Sequence, residues 1–172
     1  AKINPPLMVW PETITPPINR ALLDYKPSVG ASPLKTYIAE NPYLIDNALW
    51  VNKMLSELAS TGTHLLVGGS HESFVEGVDP QGDTTLTVIK KNSAYYYTND
   101  GKRSLSSYDK NHLVLFGEYV PFKQTAPFAN KMLNSLTPYD YDYSLTPGDT
   151  LTVFALNDSP YHFAVAICYE DV

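Results

Sequence analysis

Three reactive side chains lie far apart in the chain, and each follows an apolar or extended run. Glu12 ends L-M-V-W-P-E, Lys110 follows S-S-Y-D, and Cys168 follows F-A-V-A-I. Such runs are typical of strands, and open α/β-type sheets place their chemistry just beyond strand ends. A carboxylate, an ammonium and a thiol supply a base, a stabiliser of an oxyanion and a nucleophile, which together suffice for acyl transfer.

Cys168 is the only cysteine in the chain, and the sequence leaves two interpretations of it open. A lone thiol on an apolar strand is commonly a small buried hydrophobe. At Cys168, however, the apolar run gives way to Tyr169-Glu170-Asp171, so the sulfur can also face a cleft. As a nucleophile it would need a base or a cation nearby, because the thiolate is the reactive form.

Glu12 and Lys110 are residue types that usually lie on the surface. Trp10 and Pro11 would desolvate Glu12, which favours proton exchange near neutral pH. A lysine in the same pocket would stabilise a tetrahedral oxyanion and the thiolate. We expect Glu118, eight residues after Lys110 in F-G-E-Y-V-P-F, to hold that ammonium.

The composition indicates a globular domain without a metal or nucleic-acid site. The chain has 172 residues, 44% of them hydrophobic and 17% charged, with a net charge of -6 and no basic stripe. No apolar run approaches the roughly 20 residues that cross a bilayer. A metal site is not expected, because no second cysteine is present and the histidines are scattered: His64, His71, His112 and His162.

The apolar pattern also predicts the elements that position these residues. A strand over 7–10, a helix from Leu44 to Leu58 that Gly62 stops, and a strand over 65–67 before Gly68-Gly69 predict two parallel strands joined by a crossover. A short helix is expected over 34–39. Further strands are expected over 84–90, 93–98, 103–108, 150–155 and 161–167, with a hairpin turn at Asn99-Asp100-Gly101.

Residues 123–150 interrupt this pattern with a long excursion. It contains a possible amphipathic helix (Phe128, Met132, Leu133, Leu136) and an acidic loop with Tyr139, Tyr141 and Tyr143. Together with Phe122, these apolar and aromatic side chains suit a lipid-facing arm, and they equally suit packing against another part of a larger domain.

Three segments together, V-W-P-E-T, Y-D-K-N-H-L-V-L-F-G-E-Y-V-P-F and A-I-C-Y-E, resemble the nitrilase (carbon–nitrogen hydrolase) superfamily. Within it they look most like the catalytic domain of the apolipoprotein N-acyltransferase branch, with Leu115 where that branch usually has proline. The resemblance runs from Leu7 to Asp171. It implies an α+β fold, a four-layer α-β-β-α sandwich, of which residues 1–172 would be a partial domain, incomplete at both ends.

The resemblance also implies a role for each candidate residue. Glu12 would be the general base, Lys110 the oxyanion cation and Cys168 the nucleophile of a Glu–Lys–Cys triad. The residues expected to support this triad are Glu118, Tyr169 and Glu170.

The implied reaction moves a fatty acyl group from a phospholipid donor to the N-terminal amine of a lipid-modified apolipoprotein, through a cysteine thioester and without a cofactor or metal. The implied location is the periplasmic side of a bacterial inner membrane, reached through flanking segments. Two alternatives stay open. One is a soluble amidase or nitrilase in which water accepts the acyl group, and the other is a non-catalytic interaction module.

Overall fold

The computed structural model describes residues 5–27, 29–115, 117–119 and 144–171. Within them the chain forms six strands, three α-helices and one 3-10 helix. In chain order these are β1 Leu7–Thr15, α1 Arg20–Leu23, α2 Pro33–Glu40, α3 Tyr43–Ala59, β2 His64–Val78, β3 Thr84–Tyr97, β4 Arg103–Asp109, β5 Val153–Ala155, β6 His162–Ala164 and the 3-10 helix Cys168–Asp171.

The main sheet has four strands in the order β1-β2-β3-β4. β1 and β2 run parallel, which confirms the crossover predicted from the strand–helix–strand order. β2, β3 and β4 then pair antiparallel, and Asn99-Asp100-Gly101 falls in the connection between β3 and β4, as predicted. β5 and β6 form a separate two-stranded sheet.

The central hairpin is longer than the sequence pattern predicts. Gly68 and Gly69, expected to follow the end of a strand, lie inside β2, and the two strands expected over 84–90 and 93–98 are the single strand β3. β2 and β3 pair without interruption from Leu65↔Tyr97 to Val78↔Thr84. A paired neighbour supplies each backbone group with a hydrogen bond, so these strands extend through residues of low strand propensity. By contrast, β5 and β6 contain only three residues each.

The helices predicted over 34–39 and from Leu44 to Leu58 are confirmed. α2 starts after Ser32, whose hydroxyl accepts a hydrogen bond from the backbone N–H of Lys35, and Pro33 occupies the first turn. α3 buries Ala48, Val51, Leu55 and Ala59 at helical spacing. Leu58, which the predicted apolar face included, is 36% exposed, whereas Ala59 is buried.

The two faces of the sheet pack against different elements. Tyr95 and Tyr97 belong to the core that includes α1 and α3, whereas Ala94 and Tyr96 belong to the core that includes β5 and β6. Successive strand residues point to opposite faces, so the helices and the second sheet cover opposite sides of the main sheet. The described fold is therefore mixed α+β, and the complete four-layer sandwich stays a prediction.

The excursion predicted over 123–150 lies mostly outside the described residues, including its amphipathic helix and its tyrosine-rich loop. The structure describes its last part, from residue 144. Among the described helices, none has both the length and the hydropathy needed to cross a bilayer.

Candidate active site

Glu12 lies in a bulge of β1. The pairing of β1 with β2 passes from Trp10↔Val67 directly to Thr15↔Gly69, so the four residues 11–14 lie opposite Gly68 alone. Thr13, within this bulge, has a positive φ of 53°. A bulge redirects the side chains of the bulged strand, and this one takes Glu12 out of the regular ladder.

The Gly68-Gly69 pair makes this bulge possible. A Cβ atom on Gly68 would lie 2.5 Å from the carbonyl oxygen of Pro11 and 2.8 Å from Cα of Glu12. A Cβ atom on Gly69 would lie 2.0 Å from Oγ1 of Thr15. At Gly68 the neighbouring atoms are backbone, and only glycine allows so close an approach; at Gly69 the nearest atom belongs to the side chain of Thr15. The sequence pattern predicts the end of a strand at this glycine pair, whereas the structure places the pair inside β2, opposite the bulge that carries Glu12.

Glu12 is held by an asparagine that the sequence analysis did not single out. The side-chain N–H of Asn92 donates a hydrogen bond to Oε1 of Glu12. The Glu12 side chain retains 36% of its exposure. The desolvation expected from Trp10 and Pro11 is therefore incomplete, and a hydrogen-bond donor is the main fixed contact of this carboxylate.

Lys110 is completely buried at the end of β4. Its backbone N–H donates to the carbonyl of Asn92 at 2.8 Å, and its own carbonyl accepts from the N–H of Gly148 at 2.8 Å. Its ammonium nitrogen lies 2.8 Å from Oε1 of Glu118 and 4.0 Å from Oε1 of Glu12. A buried ammonium is tolerated only when it is paired, and here two carboxylates flank it.

Glu118 ties Lys110 to the following turn. Its Oε2 accepts a hydrogen bond of 2.8 Å from the backbone N–H of Val114, and its own N–H donates to the Val114 carbonyl at 2.8 Å. The turn is thus closed by backbone and side chain together. Both oxygens of Glu118 are used, which fixes the carboxylate beside the ammonium.

Cys168 begins the 3-10 helix that follows β6, and it is exposed. Its φ is 56°, in the left-handed region that a residue with a side chain rarely adopts. The interpretation of Cys168 as a buried hydrophobe is therefore wrong. Strained backbone of this kind occurs most often where a side chain has to be presented to a site.

Glu170 connects the Cys168 turn to the lysine loop. Its Oε1 accepts from the backbone N–H groups of Asn111 and His112, at 2.7 and 2.9 Å. Its Oε2 accepts from the hydroxyl of Tyr108 at 2.7 Å and from the N–H of Ile167 at 2.8 Å. Burial opposes the charge of this carboxylate, but these four donors outweigh burial and hold the pKa of Glu170 below its usual value. Burial, helped by Glu170, raises the pKa of Tyr108 to about 12.

Glu12 and Cys168 line one small cavity of about 200 Å³ between β1 and the Cys168 turn. Its other walls are mostly apolar or glycine: Val9, Trp10, Pro11, Leu66, Gly68, Ala94, Val165, Ala166 and Ile167. Lys110 has no exposed surface and is not among the residues that line this cavity. The structure therefore brings the carboxylate and the thiol to one cavity and adds the ammonium within 4.0 Å of the carboxylate. Tyr169 is exposed next to Cys168.

His64 and His71 lie in different surroundings. His64 contacts the hydroxyl of Tyr96 at 2.6 Å and Oδ1 of Asp158 at 3.1 Å, and His71 lies 3.3 Å from Asp109. Within the described part of the chain, no three His, Cys, Asp or Glu side chains are grouped as metal ligands would be.

Comparison with known proteins places the chain in a family. The family model for carbon-nitrogen hydrolases matches residues 2–172, and the chain belongs to that family. The chain is 32% identical over 122 residues to the apolipoprotein N-acyltransferase of Rickettsia prowazekii, a match that covers 70% of this chain and 21% of the relative. It is 30% identical over 117 residues to apolipoprotein N-acyltransferase 2 of Treponema denticola, with 66% and 19% covered. The chain thus spans about a fifth of the length of these relatives.

Proposed function

We propose that this chain is part of the catalytic domain of an N-acyltransferase, which moves a fatty acyl group from a phospholipid to the N-terminal amine of an apolipoprotein. The observation that carries this proposal is the cavity that Glu12 and Cys168 share, with the buried Lys110 ammonium 4.0 Å from Glu12. The similarity to apolipoprotein N-acyltransferases supports the choice of substrates.

In the first half-reaction Glu12 accepts the proton of the Cys168 thiol. The thiolate attacks the ester carbonyl of the phospholipid, and a tetrahedral oxyanion forms. Backbone N–H groups of the turn beside Tyr169 stabilise this oxyanion together with the Lys110 ammonium. The carbon–oxygen bond then breaks, Glu12 returns its proton to the leaving oxygen, and a lysophospholipid departs from a Cys168 thioester.

In the second half-reaction the amine of the acceptor attacks the thioester carbonyl. Glu12 accepts the amine proton, the carbon–sulfur bond breaks, and the Cys168 thiolate takes that proton from Glu12 to restore the free enzyme. Each half-reaction uses the same base, the same cation and the same sulfur. The thioester divides one difficult exchange into two easier steps.

The supporting residues act through these three. Glu118 holds the Lys110 ammonium, and Glu170 holds the Cys168 turn against the loop after Lys110. Residues 1–172 would belong to one carbon–nitrogen hydrolase domain, and a location at the periplasmic face of a membrane is part of the same proposal.

The test is to incubate the full-length protein with phospholipid vesicles and to search for an acyl adduct on Cys168 by mass spectrometry. A thioester is released by neutral hydroxylamine, so the expected adduct is hydroxylamine-labile and absent from the C168A variant. Addition of a lipid-modified peptide with a free N-terminal amine should then discharge the adduct and give an N-acylated peptide.

Each other outcome contradicts part of the proposal. Release of free fatty acid in place of the N-acylated peptide would favour a hydrolase of the same family. A folded protein that forms no adduct with phospholipid or with a simple activated ester would favour a non-catalytic module.

A further inference from the structure

We infer that Asn92 is the positioning residue of the general base: its side-chain N–H orients Glu12 towards Cys168, and its backbone carbonyl holds the adjacent lysine. The inference rests on the proposed function, since it assumes that Glu12 activates the thiol. It adds a residue that touches neither substrate nor sulfur but acts through Glu12.

The first support is position. Asn92 is buried in β3, and β3 lies between β1 and β4 in the strand order β1-β2-β3-β4. Its side chain donates to Oε1 of Glu12 in β1, and its carbonyl accepts the N–H of Lys110 at the end of β4. One residue therefore fixes the base and the backbone of the cation relative to each other.

The second support is the choice of donor. Glu12 sits in a bulge, where the ladder hydrogen bonds that normally fix a strand are interrupted. A neutral amide can restrain this carboxylate without neutralising it. The charged partner, Lys110, stays 4.0 Å away and is hydrogen-bonded to Glu118 instead. The hydrogen bond that orients Glu12 therefore comes from Asn92, whereas the Lys110 ammonium is oriented by Glu118.

The third support is the oxygen of the same amide. Oδ1 of Asn92 is buried and has no hydrogen-bond partner among the described residues. A flipped amide would place this oxygen against the carboxylate of Glu12, so that two acceptors faced each other. The unpaired oxygen is therefore the cost of directing the N–H at Glu12. A buried oxygen without a hydrogen-bond partner destabilises the fold, and packing alone does not account for it at Asn92.

Two variants separate the donor from the shape of the side chain. N92D keeps the shape and replaces the N–H donor by an acceptor, and N92L keeps a similar volume without charge or donor. Both leave the backbone carbonyl that accepts from Lys110. The matched control is N99A, because Asn99 also donates its amide to a carboxylate, that of Asp158, but away from the cavity.

The measurement is the rate at which iodoacetamide alkylates Cys168 in the full-length protein, followed by peptide mass spectrometry. This rate reports thiolate formation and needs no acyl donor. N92D and N92L should each slow alkylation roughly tenfold or more, the scale expected for losing a hydrogen bond to a charged group. N99A should alkylate at the wild-type rate. In the acyl-transfer assay the two Asn92 variants should lower kcat with little change in KM for phospholipid.

Wild-type alkylation in either Asn92 variant would overturn the inference, provided that variant keeps the wild-type circular dichroism spectrum. If either N92D or N92L fails to fold, the alkylation rate of the other variant still tests the inference. If the wild-type protein forms no acyl adduct, the proposed function fails, while the alkylation comparison still shows whether Asn92 activates the thiol through Glu12.

Discussion

The carboxylate of Glu170 accepts a hydrogen bond of 2.7 Å from the backbone N–H of Asn111, the residue that follows Lys110. Glu170 itself follows Cys168 by two positions in the same 3-10 helix. This bond therefore joins the turn that presents the thiol to the loop that carries the ammonium. Three further donors share the same carboxylate, so the junction depends on its negative charge.

The junction predicts a pH dependence of stability. The pKa of Glu170 is below its usual value in the folded protein, so the ionised carboxylate stabilises the fold at any pH above the unfolded pKa of about 4.3. That contribution is lost as the pH falls through the lowered folded pKa. E170Q should lower the free energy of unfolding by about 1–3 kcal/mol at pH 7, because it removes a charged acceptor from four donors.

Urea unfolding of E170Q and wild type between pH 7 and pH 3 checks this prediction. The difference between the two proteins should shrink as the pH falls below about 4.3, because the Glu170 carboxylate of the unfolded wild-type chain then becomes protonated. A difference that stays constant over this range would mean that the charge of Glu170 contributes nothing.

Removing the charge of Lys110 should affect both stability and activity. K110M keeps most of the side-chain volume but leaves Glu118 without its ammonium partner, which should destabilise the protein by about 3 kcal/mol. Acylation of Cys168 should fall by roughly 100-fold, because charge stabilisation of the oxyanion is lost. Unfolding curves and the mass-spectrometric adduct assay measure the two effects.

The matched control is K102M. Lys102 also pairs with a carboxylate, that of Asp100, but its side chain is 82% exposed. Exposed pairs contribute little, so K102M should unfold and acylate as the wild type does. Equal behaviour of K110M and K102M would contradict the assignment of Lys110 to the site.

The glycine in β2 that faces the β1 bulge should be essential for the position of Glu12. G68A places a Cβ atom 2.5 Å from the carbonyl oxygen of Pro11, and backbone cannot move aside as a side chain can. We expect a loss of about 2 kcal/mol in stability and a larger loss of acylation activity. G77A in the same strand is the control, since its nearest neighbour would be Oγ1 of Thr85 at 3.6 Å. Similar acylation rates for G68A and G77A would argue against this role of the glycine.

The backbone of Cys168 predicts an unusual order of stability for two inactive variants. Its φ of 56° strains any residue with a Cβ atom but not glycine. C168G should therefore be more stable than C168A by about 1 kcal/mol, the reverse of the order in most strands and helices. Thermal or urea unfolding of C168G and C168A measures this difference in stability. If C168A proved the more stable, the turn would not hold Cys168 in a strained conformation.

Much of the local structure follows from the sequence, because it depends on neighbours a few residues away. The helical spacing from Leu44 to Leu58 and the Asn99-Asp100-Gly101 turn were sufficient to predict α3 and the connection between β3 and β4. The lengths of β2 and β3 were not predictable in this way. They depend on pairing between residues that are distant in the chain, which apolar periodicity does not report.

For the proposed site, the sequence by itself supplied the candidate groups: the carboxylates of Glu12 and Glu118, the ammonium of Lys110 and the thiol of Cys168. Their motifs carried the family resemblance. Only the tertiary structure decided how these groups are held. The bulge opposite Gly68, the donor from Asn92 and the four bonds of Glu170 each join segments that the chain order separates. Such contacts form because distant backbone and side-chain groups have to satisfy one another in a packed interior, and no local pattern in the sequence encodes them.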